Sequence, residues 1–310
     1  MPKDPRFDKI LADINRSVLD AQLDLRKRKE KLVKLQRLGS PMRRVALFYT
    51  SRDRALSQYD TLPFANMLTS IGTVDNLDLI VVCPGGDGTA AETMLDLCRK
   101  HCTRLLRVVV PLYAKSAATL LALGADEIVM GETSELGPID AQVSVVQDNA
   151  PQQVSADHFL RARNEAVASL GAADQRTREL SQIQLALLSP AFLQHCTDLM
   201  NFAKDFAGKQ LRAHMFREEC HSDGTSWGER VKKIVENLTA SSKHLLHGRM
   251  ITAADIRADP DLTHLKVKEL ASDDPYWAAL TELVLRTEII MGSNQIGKLL
   301  FAEDFQMVGA

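Results

Sequence analysis

The sequence predicts an α/β fold built on a parallel, right-handed core. Three observations carry that reading. From Arg43 onward, strand-like and helix-like runs alternate. The run Leu77–Cys83 is almost wholly apolar, as expected of a strand covered on both faces. Two strand-to-helix passages, residues 79–89 and 110–120, run through turns rich in glycine and other small residues. With 310 residues, 45% hydrophobic and 25% charged, the chain can bury a sizeable core, which excludes a disordered chain, a fibre and a small disulfide scaffold.

Taken in order, residues 4–38 read as one helix, with Asp4 as cap and Pro5 at the first helical position. Leu11, Val18, Leu25 and Leu32 recur every seven residues. Ile14, Ala21 and Leu35 fall three later in the same frame, and Arg28 breaks it. This is a short coiled-coil seam that must pack on its own body or pair subunits. Residues 1–44 carry thirteen Lys/Arg against six Asp/Glu, although the whole chain has a net charge of −2. The total gives no sign of nucleic acid. The run Arg26–Lys29 reads as a solvated helix face or as a contact for a partner or an anionic surface.

Arg44–Thr50 is then a strand, Leu62–Ile71 a helix, Leu77–Cys83 a strand and Thr89–His101 a helix. Leu105–Pro111 is a strand, Lys115–Gly124 a short helix and Glu127–Met130 a strand. Beyond Pro151 the pattern is mainly helical, at Ala156–Leu170, Gln175–Leu188, Ala191–Phe206, Trp227–Thr239 and Ala253–Arg257. The last forty residues read as helical or irregular. The expected division is a helical arm over 1–40, an α/β core over 41–150 and a helical extension over 151–310 that completes the domain and supplies oligomer contacts. No apolar run reaches the ~18 residues of a membrane span. The charged N-terminus lacks a secretory core, and the five cysteines form no Cys-x-x-Cys pair. A cytoplasmic protein with reduced thiols is expected.

Chemistry concentrates in the two turns. In Cys83-Pro84-Gly85-Gly86-Asp87-Gly88-Thr89, glycines let a ligand approach the backbone, and N–H groups beside a helix N-terminus attract anions. In Ala114-Lys115-Ser116-Ala117-Ala118, a serine stands where a strand becomes a helix, and the following N–H points where an acyl oxyanion would develop. A plain turn and a helix cap are the bland readings of the two segments. Cys98, His101 and Cys102 share a helical face, and Cys220-His221 and His195-Cys196 add potential ligands. No standard spacing supplies a fourth ligand, so neither metal nor cofactor is expected.

These motifs in their order, followed by Ala125–Met130 and Leu136-Gly137-Pro138-Ile139-Asp140-Ala141-Gln142, resemble the serine dehydrogenase proteinase family. That family has the Clp-protease/crotonase-like fold, with signal peptide peptidase as a distant relative. The resemblance covers roughly residues 75–145, with a fainter echo at Lys243–Arg257. It implies Ser116 as nucleophile, the backbone N–H groups of Gly86 and Ala117 as the oxyanion hole, a peptide or protein substrate, no cofactor and a homo-oligomer. Two departures stand out. Ala117-Ala118 replaces the Gly-Gly common in relatives, and no lysine lies between Lys115 and Lys204 to act as base. The Clp-type histidine would fall near Ile139–Gln142, where Asp140 stands instead. His158 is the first candidate base, with His244 and His247 as alternatives. Lys115 adjoins Ser116, but neighbouring side chains diverge at a helix start. The other function classes are a non-catalytic scaffold or sensor, a crotonase-like acyl-CoA enzyme, and a nucleotide-dependent kinase acting through Gly85-Gly86-Asp87-Gly88-Thr89.

Overall fold

The strand-and-helix alternation resolves, in a computed structural model, into a seven-stranded sheet with helices on both faces. The structure describes residues 17–39, 42–147, 149–244 and 246–309. Asp4, Pro5, Leu11 and Ile14 lie outside the described residues. In chain order the elements are α1 (Ser17–Leu38), β1 (Arg44–Thr50), α2 (Thr61–Ile71), β2 (Val74–Val82), α3 (Gly88–His101), β3 (Cys102–Val109), α4 (Ala117–Leu123) and β4 (Glu127–Met130). The hairpin β5 (Gln142–Gln147) and β6 (Ala150–Ser155) follows, then α5 (Ala156–Ser169), α6 (Gln175–Ala186), α7 (Pro190–Ala213), α8 (Gly224–Thr239) and α9 (Ala253–Ala258). The chain ends with β7 (Val267–Glu269), α10 (Pro275–Asn294), β8 (Lys298–Ala302) and β9 (Phe305–Gly309).

Contacts divide the chain into two compact units. The described residues of Met1–Glu135 and Lys266–Ala310 form the first, and Leu136–Leu265 form the second. In the first unit the strand order is β9-β8-β1-β2-β3-β4-β7. β1 through β4 and β7 run parallel, whereas β8 and β9 add antiparallel to the β1 edge. Successive residues of β1 face opposite sides, and both sides are covered. Val45, Leu47 and Tyr49 share a core with Leu32 and Leu35 of α1 and Trp277, Leu280 and Leu283 of α10. On the other side the Phe48 ring meets Phe64 of α2 edge to face at 6.3 Å. That double covering is why the central strands read as continuous apolar runs.

The structure answers the sequence expectation at two points. First, the described part of the N-terminal seam packs on the first unit's own core, through Leu32, Leu35 and the partly buried Leu25, which is one of the two alternatives the sequence left open. Arg28, which interrupts the heptads, is buried. It pairs with Asp24 at 2.8 Å, lies over the Phe301 ring, and shares Asp24 with Arg286. Second, the last forty residues hold β8 and β9 as well as α10, so the chain returns to the sheet instead of ending as a helical extension. The second unit contains the β5–β6 hairpin and α5 to α9, and its small core joins Val143, Ala156, Cys196 and Met200.

Asp78, wholly buried in β2, accepts hydrogen bonds from Arg43 (3.0 Å), Arg107 (2.8 and 2.6 Å) and the Tyr276 hydroxyl (2.7 Å). Removing one member of such a cluster leaves uncompensated buried charge. Asp78→Ala is expected to cost about 3–5 kcal/mol, read as a fall in the urea midpoint at unchanged slope. A loss below about 1 kcal/mol would show that the two guanidinium groups find other partners.

Candidate active site

Both motif turns lie in the first unit, at the C-terminal ends of β2 and β3. They run side by side: the Cys83 N–H donates to Tyr113 O at 2.9 Å, and the Lys115 N–H donates to Cys83 O at 3.0 Å. Beyond Pro84 the chain takes conformations that favour glycine, with φ of 109° at Gly85 and 138° at Gly86. The space is glycine's too. A Cβ on Gly85 would lie 2.8 Å from Ser116 Cβ, and one on Gly86 would lie 2.3 Å from Leu56 O. The Gly85 carbonyl accepts from the Leu56 N–H at 2.7 Å. A trans peptide directs its N–H opposite its carbonyl, so the exposed Gly86 presents its N–H away from Leu56.

Asp87 caps α3, its carboxylate accepting from the Thr89 and Ala90 N–H groups at 2.8 and 3.4 Å and from Thr89 Oγ1 at 2.7 Å. That engagement is a structural use for the aspartate on which the nucleotide reading leans.

Ser116 precedes α4 with φ 50° and ψ −116°, a backbone conformation that costs an L-residue strain. Its side chain makes no capping hydrogen bond, and the residue is partly exposed. Ala117 is the first residue of α4, so its N–H has no acceptor within the helix. Behind it Ala118 is buried, and buried Thr119 donates to Ala114 O at 2.6 Å. Lys115 turns to Glu135, with Nζ 3.0 Å from Oε2. Burial lowers the Lys115 pKa and the Glu135 contact raises it, with a net position below the ordinary value.

The three candidate histidines lie in the second unit and line one cavity of about 270 Å³ together with Asp140 and Gln142. Their surroundings differ. His247 Nδ1 is 2.7 Å from Asp140 Oδ1, a contact between residues 107 positions apart. Asp140 is buried and also accepts from Gln142 Nε2 at 3.1 Å. Burial pushes its carboxyl up, but the hydrogen bond and charge of His247 outweigh it and hold the group below its ordinary value of 3.8. His244 Nε2 is 2.8 Å from Asn237 O, and burial lowers its pKa, which favours the neutral ring. His158, ranked first on sequence, is exposed at the start of α5, and no hydrogen bond among the described residues engages its ring. Asp140 as an imidazole partner was missed on sequence. Its only signal was a carboxylate standing where a Clp-type histidine was sought.

Cys98, His101 and Cys102 do not share the helical face that the sequence spacing suggested. Cys98 is buried in α3, Cys102 begins β3, and His101 Nδ1 contacts Gly72 O at 3.2 Å.

Residues 67–184 match the family model of the ClpP-like SDH-type serine proteinases. The matched segment holds both glycines, Ser116, Asp140 and His158, whereas His244 and His247 lie beyond it. Two uncharacterized proteins of Methanocaldococcus jannaschii are similar in sequence. One is 38% identical over 108 residues, which is 35% of this chain and 37% of that protein. The other is 39% identical over 67 residues, 22% of this chain and 23% of that protein. The chain thus spans well under two thirds of the curated relatives it matches. Among solved structures, a mutant of a membrane-bound stomatin-specific protease is 15% identical, with a TM-score of 0.29 over 40% of this chain and 64% of that one. Another mutant of a protease so described, in complex with a substrate peptide, is 12% identical, with a TM-score of 0.31 over 78% of this chain and 97% of that one. No helix among the described residues is long and apolar enough to cross a membrane.

Proposed function

We propose that the protein is a serine peptidase in which Ser116 attacks the carbonyl of a peptide bond. The observation that carries this reading is the strained, uncapped Ser116 against Gly85, with the Gly86 and Ala117 N–H groups at the same pair of turns. A plain helix cap has no use for either feature. The Ser116 Oγ–C bond forms as the carbonyl oxygen becomes anionic under the two N–H donors. The hydroxyl proton passes to a base, which returns it to the leaving amine, and water then hydrolyses the acyl-enzyme. No cofactor takes part. A homo-oligomeric, cytoplasmic setting belongs to the same proposal, as the sequence reading had it.

The base is proposed to be His247, on the chemistry of its own surroundings. A carboxylate on Nδ1 fixes the tautomer that leaves Nε2 free to accept a proton, and it stabilises the imidazolium that forms. This moves His247 ahead of His158, which has no such partner. His244 would have to give up its contact with the Asn237 carbonyl.

Two measurements test the proposal. A fluorophosphonate probe is expected to label Ser116 and no other residue, and absence of labelling between pH 6 and pH 9 counts against a serine peptidase. His247→Gln and Asp140→Asn are each expected to lower kcat/KM about 100- to 10,000-fold; His247→Gln should abolish the acid limb of the pH–rate profile, where the base must be neutral, and Asp140→Asn should move it to lower pH because the imidazolium loses its carboxylate. An unchanged limb in both variants removes His247 from the mechanism. The His247–Asp140 contact also contributes to stability. Because the folded Asp140 carboxyl titrates below 3.8, that contribution is complete above 3.8 and lost as pH falls through the folded value.

A further inference from the structure

Parallel α/β sheets bind ligands beyond the carboxyl ends of their strands. At that end of β1, beside the last turn of α10, the first unit holds a cavity of about 590 Å³, within the size range of small-molecule sites. Its deepest lining is apolar, since Tyr49, Tyr113 and Met291 are also members of the unit's buried core. The two rings are held in place. The Tyr49 hydroxyl donates to Glu288 Oε1 at 2.9 Å, and the Tyr113 hydroxyl donates to Thr50 O at 3.1 Å. Burial pushes the Tyr113 hydroxyl up to about 12, against the charge of Arg52, and burial raises Tyr49 as well, so both remain neutral near pH 7. The rim is tied by backbone. The Ser51 N–H donates to Gly297 O at 2.9 Å, and the Ile296 N–H donates to Met291 O at 2.9 Å. The cavity is therefore formed before a ligand enters it.

Four charged side chains line this cavity, and three of them are engaged. Arg54 lies 3.9 Å from Asp53, whose carboxylate also accepts from Ser51 Oγ at 2.7 Å, and Glu288 holds the Tyr49 hydroxyl. Arg52 differs. No ion pair or hydrogen bond among the described residues engages it, and its guanidinium lies over the Tyr113 ring, with Cζ 4.3 Å from the centroid. Such stacking occupies a face of the guanidinium and leaves its N–H groups, which lie in its plane, able to donate. It also orders a long side chain in advance, so less entropy is lost when a ligand binds. A planar fork of donors matches a carboxylate through two parallel hydrogen bonds. Charge narrows the choice further. Asp53 and Glu288 line the same cavity, so a doubly charged phosphate meets more repulsion there than a singly charged carboxylate does. We propose that this cavity binds a carboxylate-bearing ligand with an apolar body, its carboxylate on Arg52 and its body against Tyr49, Tyr113 and Met291. The chemistry is that of an apolar organic acid or of the C-terminal residue of a peptide. This binding site is independent of the peptidase reading, since it uses neither Ser116 nor the two oxyanion donors.

The test titrates the full chain by calorimetry with N-acetylphenylalanine, N-acetylphenylalaninamide and inorganic phosphate. The acid is expected to bind at least about 10-fold more tightly than the amide, which lacks the charge, and than phosphate. Arg52→Gln is expected to weaken binding of the acid at least about 10-fold. Its urea midpoint should be unchanged, because Arg52 is exposed. Ser116→Ala is expected to bind the acid as the unaltered protein does. The tripeptide acid N-acetyl-Ala-Ala-Phe separates the two sources. A further gain of about 10-fold marks a peptide terminus, and a smaller gain or a loss marks a small organic acid. Acid and amide within about 2-fold of each other, phosphate tighter than the acid, or no saturation below about 10 mM acid would overturn the site. So would affinity for the acid retained in Arg52→Gln, or lost in Ser116→Ala, which would place the acid elsewhere. None of these outcomes bears on labelling of Ser116, which decides the peptidase reading separately.

Discussion

Replacing Ser116 by alanine is expected to abolish fluorophosphonate labelling and to lower kcat/KM by at least about 10,000-fold, leaving the residual rate that binding and an oxyanion hole supply without a nucleophile. A second substitution separates a catalytic serine from a structural one. The backbone at Ser116 sits at φ 50°, ψ −116°, where side chains carry strain on the order of 1–3 kcal/mol and glycine does not. Ser116→Gly is therefore expected to be more stable than Ser116→Ala by about 1 kcal/mol in urea unfolding, while equally inactive. A protein that gains stability by losing this residue keeps it for another reason, and nucleophilic chemistry at an exposed turn supplies one. If Ser116→Ala retained labelling, the nucleophile would have to be sought elsewhere. If Ser116→Gly were the less stable of the two, the argument from strain would fail.

Gly86→Ala is expected to produce the second largest effect. The new methyl would lie 2.3 Å from the Leu56 carbonyl oxygen and 2.6 Å from its nitrogen, both backbone atoms, at a φ of 138° that alanine rarely adopts. Neither neighbour is a flexible side-chain tip that could swing aside, so the Gly85–Gly86 peptide itself must turn. That rotation moves the N–H that the proposed mechanism aims at the oxyanion. The expected result is a loss of about 100- to 1,000-fold in kcat with a much smaller change in KM, since the donor acts chiefly on the developing charge. The stability loss should be on the order of 1–3 kcal/mol, small enough for a folded protein to be assayed. Activity retained within about 3-fold would mean that this N–H does not touch the reacting carbonyl. Gly85→Ala attacks the same site from the other side, because its methyl would press on Ser116 Cβ at 2.8 Å.

Both turns were legible in the sequence because their requirements are local. Consecutive glycines after an apolar strand announce positive φ, and a serine followed by two alanines at a strand-to-helix junction announces a hydroxyl with small neighbours. The run Leu77–Cys83 announced a strand covered on both sides. The seam at Leu25, Leu32 and Leu35 announced an apolar helix face, but not its partner. The helix packs against α10, more than two hundred residues away, and Arg28 is accommodated by Asp24 of α1 and Arg286 of α10.

The C-terminal strands were misread for want of a local signal. Strands β8 and β9 are five residues each, joined at Glu303-Asp304 without a glycine, and they follow a twenty-residue helix. Nothing local separates them from a helix tail. They are strands because β1 offers an open edge to which Lys298–Phe301 can pair. The contact of His247 with Asp140 joins residues 107 positions apart, and no local signal reports it.

Backbone preference, apolar periodicity and turn chemistry act over a few residues, and so the parallel α/β core, the paired glycines and the serine at a strand-to-helix turn were already written in the order of the amino acids. The edge strands, the burial of Arg28 and the meeting of His247 with Asp140 are different in kind. Each joins groups that gain free energy only when chain closure brings them together and removes water from around them, and no short stretch of sequence carries that information.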